Sequence, residues 1–106
     1  MAKIPQAIEK AVREYAENLN KEIPVKKVIL IGSYANNTDS PGSDVDIAVF
    51  SDYFEKTSRV EAIRFLLSMA RKYAIMDFQP LPFTYKEYIE KDGFVAEVVE
   101  KGIEII

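Results

Sequence analysis

Residues 31–50 have the sequence IGSYANNTDSPGSDVDIAVF, and the rest of the chain is organised around them. They predict the end of a buried strand, a turn at Gly32-Ser33, a polar loop rich in turn-forming residues, and a second strand from Asp44 to Phe50. Because alternate side chains of a strand share a face, Asp44 and Asp46 point the same way, at a separation of roughly 6.5–7 Å. The stretch therefore predicts two neighbouring strands, the second of which begins with an acidic pair.

The flanking segments predict helices interleaved with further strands. The run from Val28 to Ile31 is continuously apolar, as expected for a central strand that is covered on both faces. Capping-box patterns at Ser58 and Thr84 indicate the starts of two helices. In chain order, the predicted elements are a helix over about 5–22, strands over 25–31 and 44–50, a helix over about 58–73, a strand over 74–79, helices over about 84–91 and 94–101, and a short edge strand over 103–106.

These elements predict an α+β fold in which a mixed, three- to four-stranded sheet is packed by helices, within one domain over residues 1–106. In the helix over 58–73, apolar residues recur at helical spacing and are expected to pack on the core. They are Val60, Ile63, Leu67, Ala70 and Ala74, widened by Leu66, Met69 and Tyr73. The strand over 74–79 is expected to stop at Pro80 and Pro82, because proline cannot donate to a sheet ladder.

The composition restricts the chemistry that the chain supports. With no cysteine and no histidine among 106 residues, disulfides, thiolate zinc sites, cysteine nucleophiles and imidazole bases are excluded. Carboxylate ligands suit hard cations such as Mg²⁺. The net charge of −3 disfavours nucleic acid as a direct substrate. Because the chain has neither an apolar run long enough to cross a bilayer nor a signal peptide, we expect a cytoplasmic protein with no membrane partner.

Three aspartates are candidates for metal binding and catalysis. The carboxylates of Asp44 and Asp46 can converge on one cation or bridge two, because paired catalytic metals lie roughly 3.5–4 Å apart. Asp77 occurs in an apolar segment, where a buried carboxylate needs a charged partner. If this segment forms a strand beside the strand of Asp44 and Asp46, Asp77 would lie near both carboxylates and could act as a metal ligand or general base. The alternative is that all of these are solvated aspartates at loop ends and an exposed strand edge.

Gly32-Ser33 is a candidate phosphate-binding turn. A glycine after a buried strand lets a bulky anion approach the backbone, because no Cβ intervenes. Ser33 and the following backbone amides can then donate hydrogen bonds to phosphate oxygens. The alternative is a tight turn that Ser33 merely caps.

In combination, Gly32-Ser33, ten intervening residues and Asp44-Val45-Asp46 resemble the signature of the DNA polymerase β-like nucleotidyltransferase superfamily. The chain length, the context over 31–50 and Asp77 on a later segment look most like the minimal nucleotidyltransferases, which have a polymerase β palm-like fold. The resemblance covers essentially the whole chain. One departure is Asn36-Asn37, where the family often has a basic residue followed by glycine.

The resemblance implies a role for each matching residue. Gly32 and Ser33 would bind the β- and γ-phosphates of ATP. Asp44 and Asp46 would bind two Mg²⁺ ions, and Asp77 would join one of them and help to deprotonate the attacking hydroxyl. Members of this group are commonly paired with a helical HEPN-domain toxin, to whose tyrosine they transfer AMP. The resemblance therefore implies a Mg²⁺-dependent antitoxin with a HEPN-domain partner.

Two other functions are compatible with the sequence. One is nucleotidyl transfer to a small molecule such as an aminoglycoside, for which the resembling enzymes use an additional domain. The other is a binding module that occludes a partner without catalysis.

Overall fold

The structure is a computed structural model that describes residues 5–32 and 44–106. Its helices are α1 (Gln6–Asn20), α2 (Arg59–Met69), α3 (Tyr85–Glu90) and α4 (Phe94–Lys101). Its strands are β1 (Val25–Ile31), β2 (Val45–Ser51), β3 (Phe78–Phe83) and β4 (Ile103–Glu104). Turns of 3₁₀ helix follow β2 and α2, at Asp52–Glu55 and Arg71–Met76.

The four strands form one mixed sheet in the order β3-β2-β1-β4. β1 runs antiparallel to both β2 and β4, whereas β2 and β3 are parallel. Helices α1 and α2 cover one face of this sheet, and α3 and α4 cover the other. The predicted α+β fold with a mixed sheet is confirmed. In the part of the chain that the structure describes, no helix is long and apolar enough to span a membrane.

The central position of β1 explains its continuous apolar run. Val28 and Leu30 pack under α1 and α2, whereas Ile29 packs on the opposite face against α4. All three side chains are almost fully buried. The strand ends at Ile31, directly before Gly32, as predicted.

Tyr15 of α1 joins the first helix to the second. Its fully buried ring packs edge-on against Phe78 at 5.4 Å between centroids, and its hydroxyl donates to the carbonyl of Leu66 at 2.7 Å. Burial raises the pKa of this hydroxyl, so Tyr15 stays neutral and remains a donor. Because Phe78 directly follows Asp77, this contact also fixes the start of β3.

We expect Tyr15→Phe to lower the free energy of unfolding by about 1 kcal/mol, the usual contribution of one buried hydrogen bond. The ring contacts would remain, so the fold should be unchanged. Urea unfolding followed by circular dichroism measures the difference. Tyr53→Phe, at an exposed tyrosine, is the matched control and should have no measurable effect. Equal unfolding energies for Tyr15→Phe and the native protein would contradict this prediction.

The predicted strand over 74–79 is wrong in position. Residues Arg71–Met76 form 3₁₀ turns, and β3 runs over Phe78–Phe83 through both Pro80 and Pro82. Among the strands that the structure describes, β3 lies at the edge of the sheet and pairs with β2 alone. An edge strand tolerates proline where the missing N–H would face away from the partner strand.

The predicted core stripe of α2 is wrong for two residues. Val60 and Leu67 are 64% and 44% exposed, whereas the helix buries Leu66, as predicted, and Ala62, which the predicted stripe did not include. It also ends at Met69, four residues earlier than predicted. Because α2 carries apolar residues on two sides, periodicity could not identify which side the sheet covers.

Local sequence features determine where α3 begins and where the chain turns into α4. At the start of α3, Thr84 Oγ1 accepts from the Glu87 amide at 3.1 Å, and Glu87 Oε1 accepts from the Thr84 amide at 2.9 Å. This reciprocal capping box is the one predicted from the sequence. Lys91 and Gly93 then adopt positive φ angles of 52° and 56°, which turn the chain sharply before α4. As a result, α4 crosses the second face of the sheet.

Candidate active site

The start of β2 lies between the end of β1 and the start of β3. In Cα register, Asp46 pairs with Ile31 on one side and with Gln79 on the other. The Val45 amide donates to the carbonyl of Asp77 at 3.1 Å, which extends the parallel ladder one residue before β3. Asp46 and Asp77, which belong to separate segments of the chain, therefore lie at the same end of the sheet.

The side chains of β2 alternate between the two faces of the sheet, as the sequence predicted. Val45, Ile47 and Val49 lie in the core under α1 and α2. Phe50 lies in the core under α3 and α4. Asp46 shares the side of Phe50, where it lines a cleft beneath α4.

The acidic side chains repel one another at this end of the sheet. The pKa of Asp44 is raised by a hydrogen bond and by the negative charge of neighbouring Asp77, with smaller effects of desolvation and of Asp46. The pKa of Asp46 is raised by partial burial and then by the charge of Asp77. Among the described residues, none of these carboxylates forms a salt bridge with a lysine or arginine. Excess negative charge therefore lies at the start of β2.

Asp77 reaches this cluster by a route that the sequence reasoning did not foresee. It is exposed, it precedes β3 instead of lying within a strand, and its φ angle is 52°. Such a left-handed conformation is uncommon for a non-glycine residue. The Gln79 side-chain amide donates to Asp77 Oδ1 at 3.0 Å and so helps to orient the carboxylate. Asp77 thus lies beside Asp44. Because its side chain is exposed, it does not need the charged partner that was expected for a buried carboxylate.

Gly32 lies against the Asp46 carboxylate. Its φ angle is 78°, and a Cβ built on it would collide with Asp46 Oδ2 and lie 3.2 Å from Cγ. Glycine is therefore required here both by the backbone conformation and by the carboxylate. Ser33, the other half of the predicted phosphate-binding turn, lies outside the described residues, as do Asn36-Asn37.

The donor chemistry of this cluster fits a hard divalent cation. It offers only oxygen ligands, and a cation would offset the negative charge of Asp77, which contributes to the raised pKa values of both Asp44 and Asp46. As placed, however, no set of three or more acidic side chains within residues 5–32 and 44–106 encloses a metal position. We infer that closure around a cation would need side-chain rotation at Asp44 and Asp77, both of which are exposed.

A cleft of about 340 Å³ continues from the acidic cluster to α4. One end is formed by Gly32 and Asp46, and the walls include Leu81, Phe94 and Val98. Sequence reasoning assigned no binding role to α4. A possible signal was Phe94 itself, a large apolar residue directly after the Asp92-Gly93 break, where it begins a helix.

Comparison with known proteins agrees with this arrangement. The family model described as "Nucleotidyltransferase domain" matches residues 10–105. A protein of Methanocaldococcus jannaschii that bears the name "putative protein adenylyltransferase" is 34% identical over 56 residues, which are 53% of this chain and 55% of that protein. The match thus spans about half the length of this curated relative.

A solved structure supports the fold. It is described as a "putative nucleotidyltransferase" from Sulfolobus solfataricus and superposes with a TM-score of 0.66, at 16% sequence identity. The superposition covers 79% of this chain and 73% of the other. At this identity, the likeness concerns the fold alone.

Proposed function

The chain belongs to the nucleotidyltransferase domain family, and from this premise we propose that it transfers AMP from ATP to a hydroxyl group of a protein. The observation that carries the proposal is the juxtaposition of Asp44, Asp46 and Asp77 at one end of the sheet, next to Gly32. The name of the Methanocaldococcus jannaschii relative supports a protein as acceptor.

The proposed reaction is an in-line displacement at the α-phosphorus. The acceptor oxygen forms a bond to that phosphorus, and the bond from phosphorus to the oxygen that bridges to the β-phosphate breaks. Pyrophosphate leaves with the bonding electrons, and the proton of the hydroxyl passes to a carboxylate. Asp77 suits this last role because it is exposed at the edge of the cluster, where an acceptor from outside can reach it.

In this reaction, the residues of the chain mainly position the nucleotide and hold the cations that neutralise its phosphate charge. Gly32 leaves room for a phosphate to approach the backbone beside Asp46. Asp44, Asp46 and Asp77 would hold Mg²⁺, which when bound neutralises phosphate charge and polarises the α-phosphorus. Holding the reactants in line supplies a large part of the rate enhancement in reactions of this type.

For the partner, we propose a HEPN-domain toxin whose tyrosine accepts AMP, so that the chain acts as its antitoxin. Support comes from the resemblance of Gly32-Ser33 and Asp44-Val45-Asp46 to the minimal nucleotidyltransferases. Phosphate charge on a tyrosine alters both its hydrogen bonding and its local electrostatics, so such a transfer can switch off a partner.

The test is to incubate the chain with Mg²⁺, ATP and the protein encoded by the neighbouring gene, which the proposal expects to be a HEPN-domain toxin. We expect label from [α-³²P]ATP to appear on the partner and label from [γ-³²P]ATP not to appear, because transfer of AMP retains only the α-phosphate. Mass spectrometry should locate the AMP on a tyrosine. Label from the γ-position, or no label together with no binding of ATP, would contradict the proposal.

A further inference from the structure

The cleft beneath α4 has the surface of a binding site for a flat ring. Leu81 and Val98 give it apolar walls. Phe94, at its mouth, is 54% exposed although its ring is large and apolar. The ring of Phe83 lies beside it, at 6.1 Å between centroids. Aromatic side chains of this kind provide platforms on which nucleic acid bases stack.

The volume of the cleft suits a small organic ligand, and one end of the cleft adjoins the proposed phosphate site. Its volume of about 340 Å³ lies within the range of pockets that hold small organic ligands. Gly32 and Asp46 form one end, and the proposed function assigns this end to the phosphates. A nucleotide anchored there would extend its sugar and base along the cleft toward α4.

The rim of the cleft carries one side chain that can distinguish between bases. Glu97 and Lys101 both line the cleft, and Lys101 Nζ donates to Glu97 Oε1 at 3.4 Å. Both side chains are largely exposed, so the second carboxylate oxygen of Glu97 is accessible to a ligand. An ionised carboxylate only accepts hydrogen bonds. It therefore favours a ring edge that carries an amino group over one that offers only acceptors.

We propose that this cleft binds the nucleoside part of the nucleotide, with the base stacked on Phe94 and its exocyclic amine donating to Glu97. The inference rests on the proposed nucleotidyl transfer and adds to it the residues that would select an amino-bearing base such as adenine. It gives α4 the role of a specificity element.

Calorimetric binding of ATP and of inorganic tripolyphosphate, both with Mg²⁺, tests the stacking. Tripolyphosphate reaches the phosphate end alone, so we expect ATP to bind the native protein on the order of tenfold more tightly, as one stacked base would provide. Phe94→Ala should remove most of this difference, because only the hydrogen bond to Glu97 would remain, and should leave the affinity for tripolyphosphate unchanged. Phe94→Leu keeps apolar volume without the ring and should lose most of the difference. Leu67→Ala, at an exposed apolar residue on the opposite side of the sheet, is the control.

Comparison of ATP with purine riboside triphosphate tests the role of Glu97. Purine lacks the exocyclic amino group of adenine and keeps N1 as an acceptor, so the native protein should prefer ATP. Glu97→Ala should remove that preference. Lys101→Ala breaks the same ion pair but keeps the carboxylate, and should retain the preference.

Equal affinities of the native protein for ATP and tripolyphosphate would overturn the proposal and leave nucleotide-dependent transfer standing. An ATP advantage that neither substitution of Phe94 diminishes would also overturn it. If neither compound binds in the presence of Mg²⁺, the proposed function fails together with this inference.

Discussion

Replacing Asp46 by Asn is expected to reduce nucleotidyl transfer by about 10³-fold, because removal of one charged group that acts on the transition state has effects of this order. The same substitution should make the metal-free protein more stable. Partial burial and the charge of Asp77 raise the pKa of Asp46 in the folded state, so its ionised form destabilises the fold at neutral pH. Asparagine occupies the same volume without that charge.

The sign of the pH dependence follows from the raised pKa. Above the folded-state pKa of Asp46, the charged carboxylate lowers the free energy of unfolding, and this penalty is relieved as the pH falls through that pKa. The native protein without metal should therefore gain stability on mild acidification, and Asp46→Asn should gain less. With Mg²⁺ present, the order of stabilities should reverse, because only the native cluster retains its full charge for the cation.

Urea unfolding at several pH values, with EDTA and with Mg²⁺, measures this effect beside the transfer assay. Asp52→Asn, at an exposed aspartate outside the cluster, is the control and should leave transfer unchanged. If Asp46→Asn still neutralises the partner without transferring AMP, the chain acts by occlusion and not by catalysis.

Gly32→Ala is expected to impair both stability and activity. An alanine at a φ of 78° is strained by about 1–3 kcal/mol. Its methyl group would also collide with the Asp46 carboxylate and displace it. A displacement of roughly 1 Å at a catalytic group can reduce the rate by about 10²-fold. Activity should therefore fall further than the lost stability explains, as measured at a temperature where the variant is fully folded.

Gly93→Ala separates the two effects. Gly93 also has a positive φ angle, of 56°, but a Cβ there would meet no atom within 4 Å. This variant should lose a similar amount of stability while its affinity for tripolyphosphate stays native. Equal loss of tripolyphosphate affinity in both glycine variants would show that backbone strain, and not the contact with Asp46, is responsible.

Much of the fold follows from local sequence signals. β1 and α4 have the predicted bounds, because a continuous apolar run and a Gly-flanked amphipathic segment leave few alternatives. The capping box at Thr84 specified α3 for the same reason. The alternation along β2 correctly predicted that Val45 and Asp46 face opposite ways.

The remaining features depend on tertiary context. Whether Pro80 interrupts a strand is decided by the position of that strand in the sheet, which the sequence does not state. The exposure of Leu67 depends on which side of α2 meets the sheet. The cleft joins Asp46 to Phe94, 48 residues apart, and needs the crossing of α4 over the sheet. The contact of Gly32 with Asp46 likewise depends on the β1–β2 register.

The prolines of β3 limit how this protein can associate with others. Since the Asp77 carbonyl accepts from β2, the alternate positions Pro80 and Pro82 direct their nitrogen atoms toward the open side of the sheet, where neither can donate. At the other margin, β4 contributes only two residues. Within residues 5–32 and 44–106, strand addition, a common means of protein association and of aggregation, thus finds little to pair with at either margin. A second protein would instead have to dock through side chains, on helical surfaces or at the acidic end of the sheet.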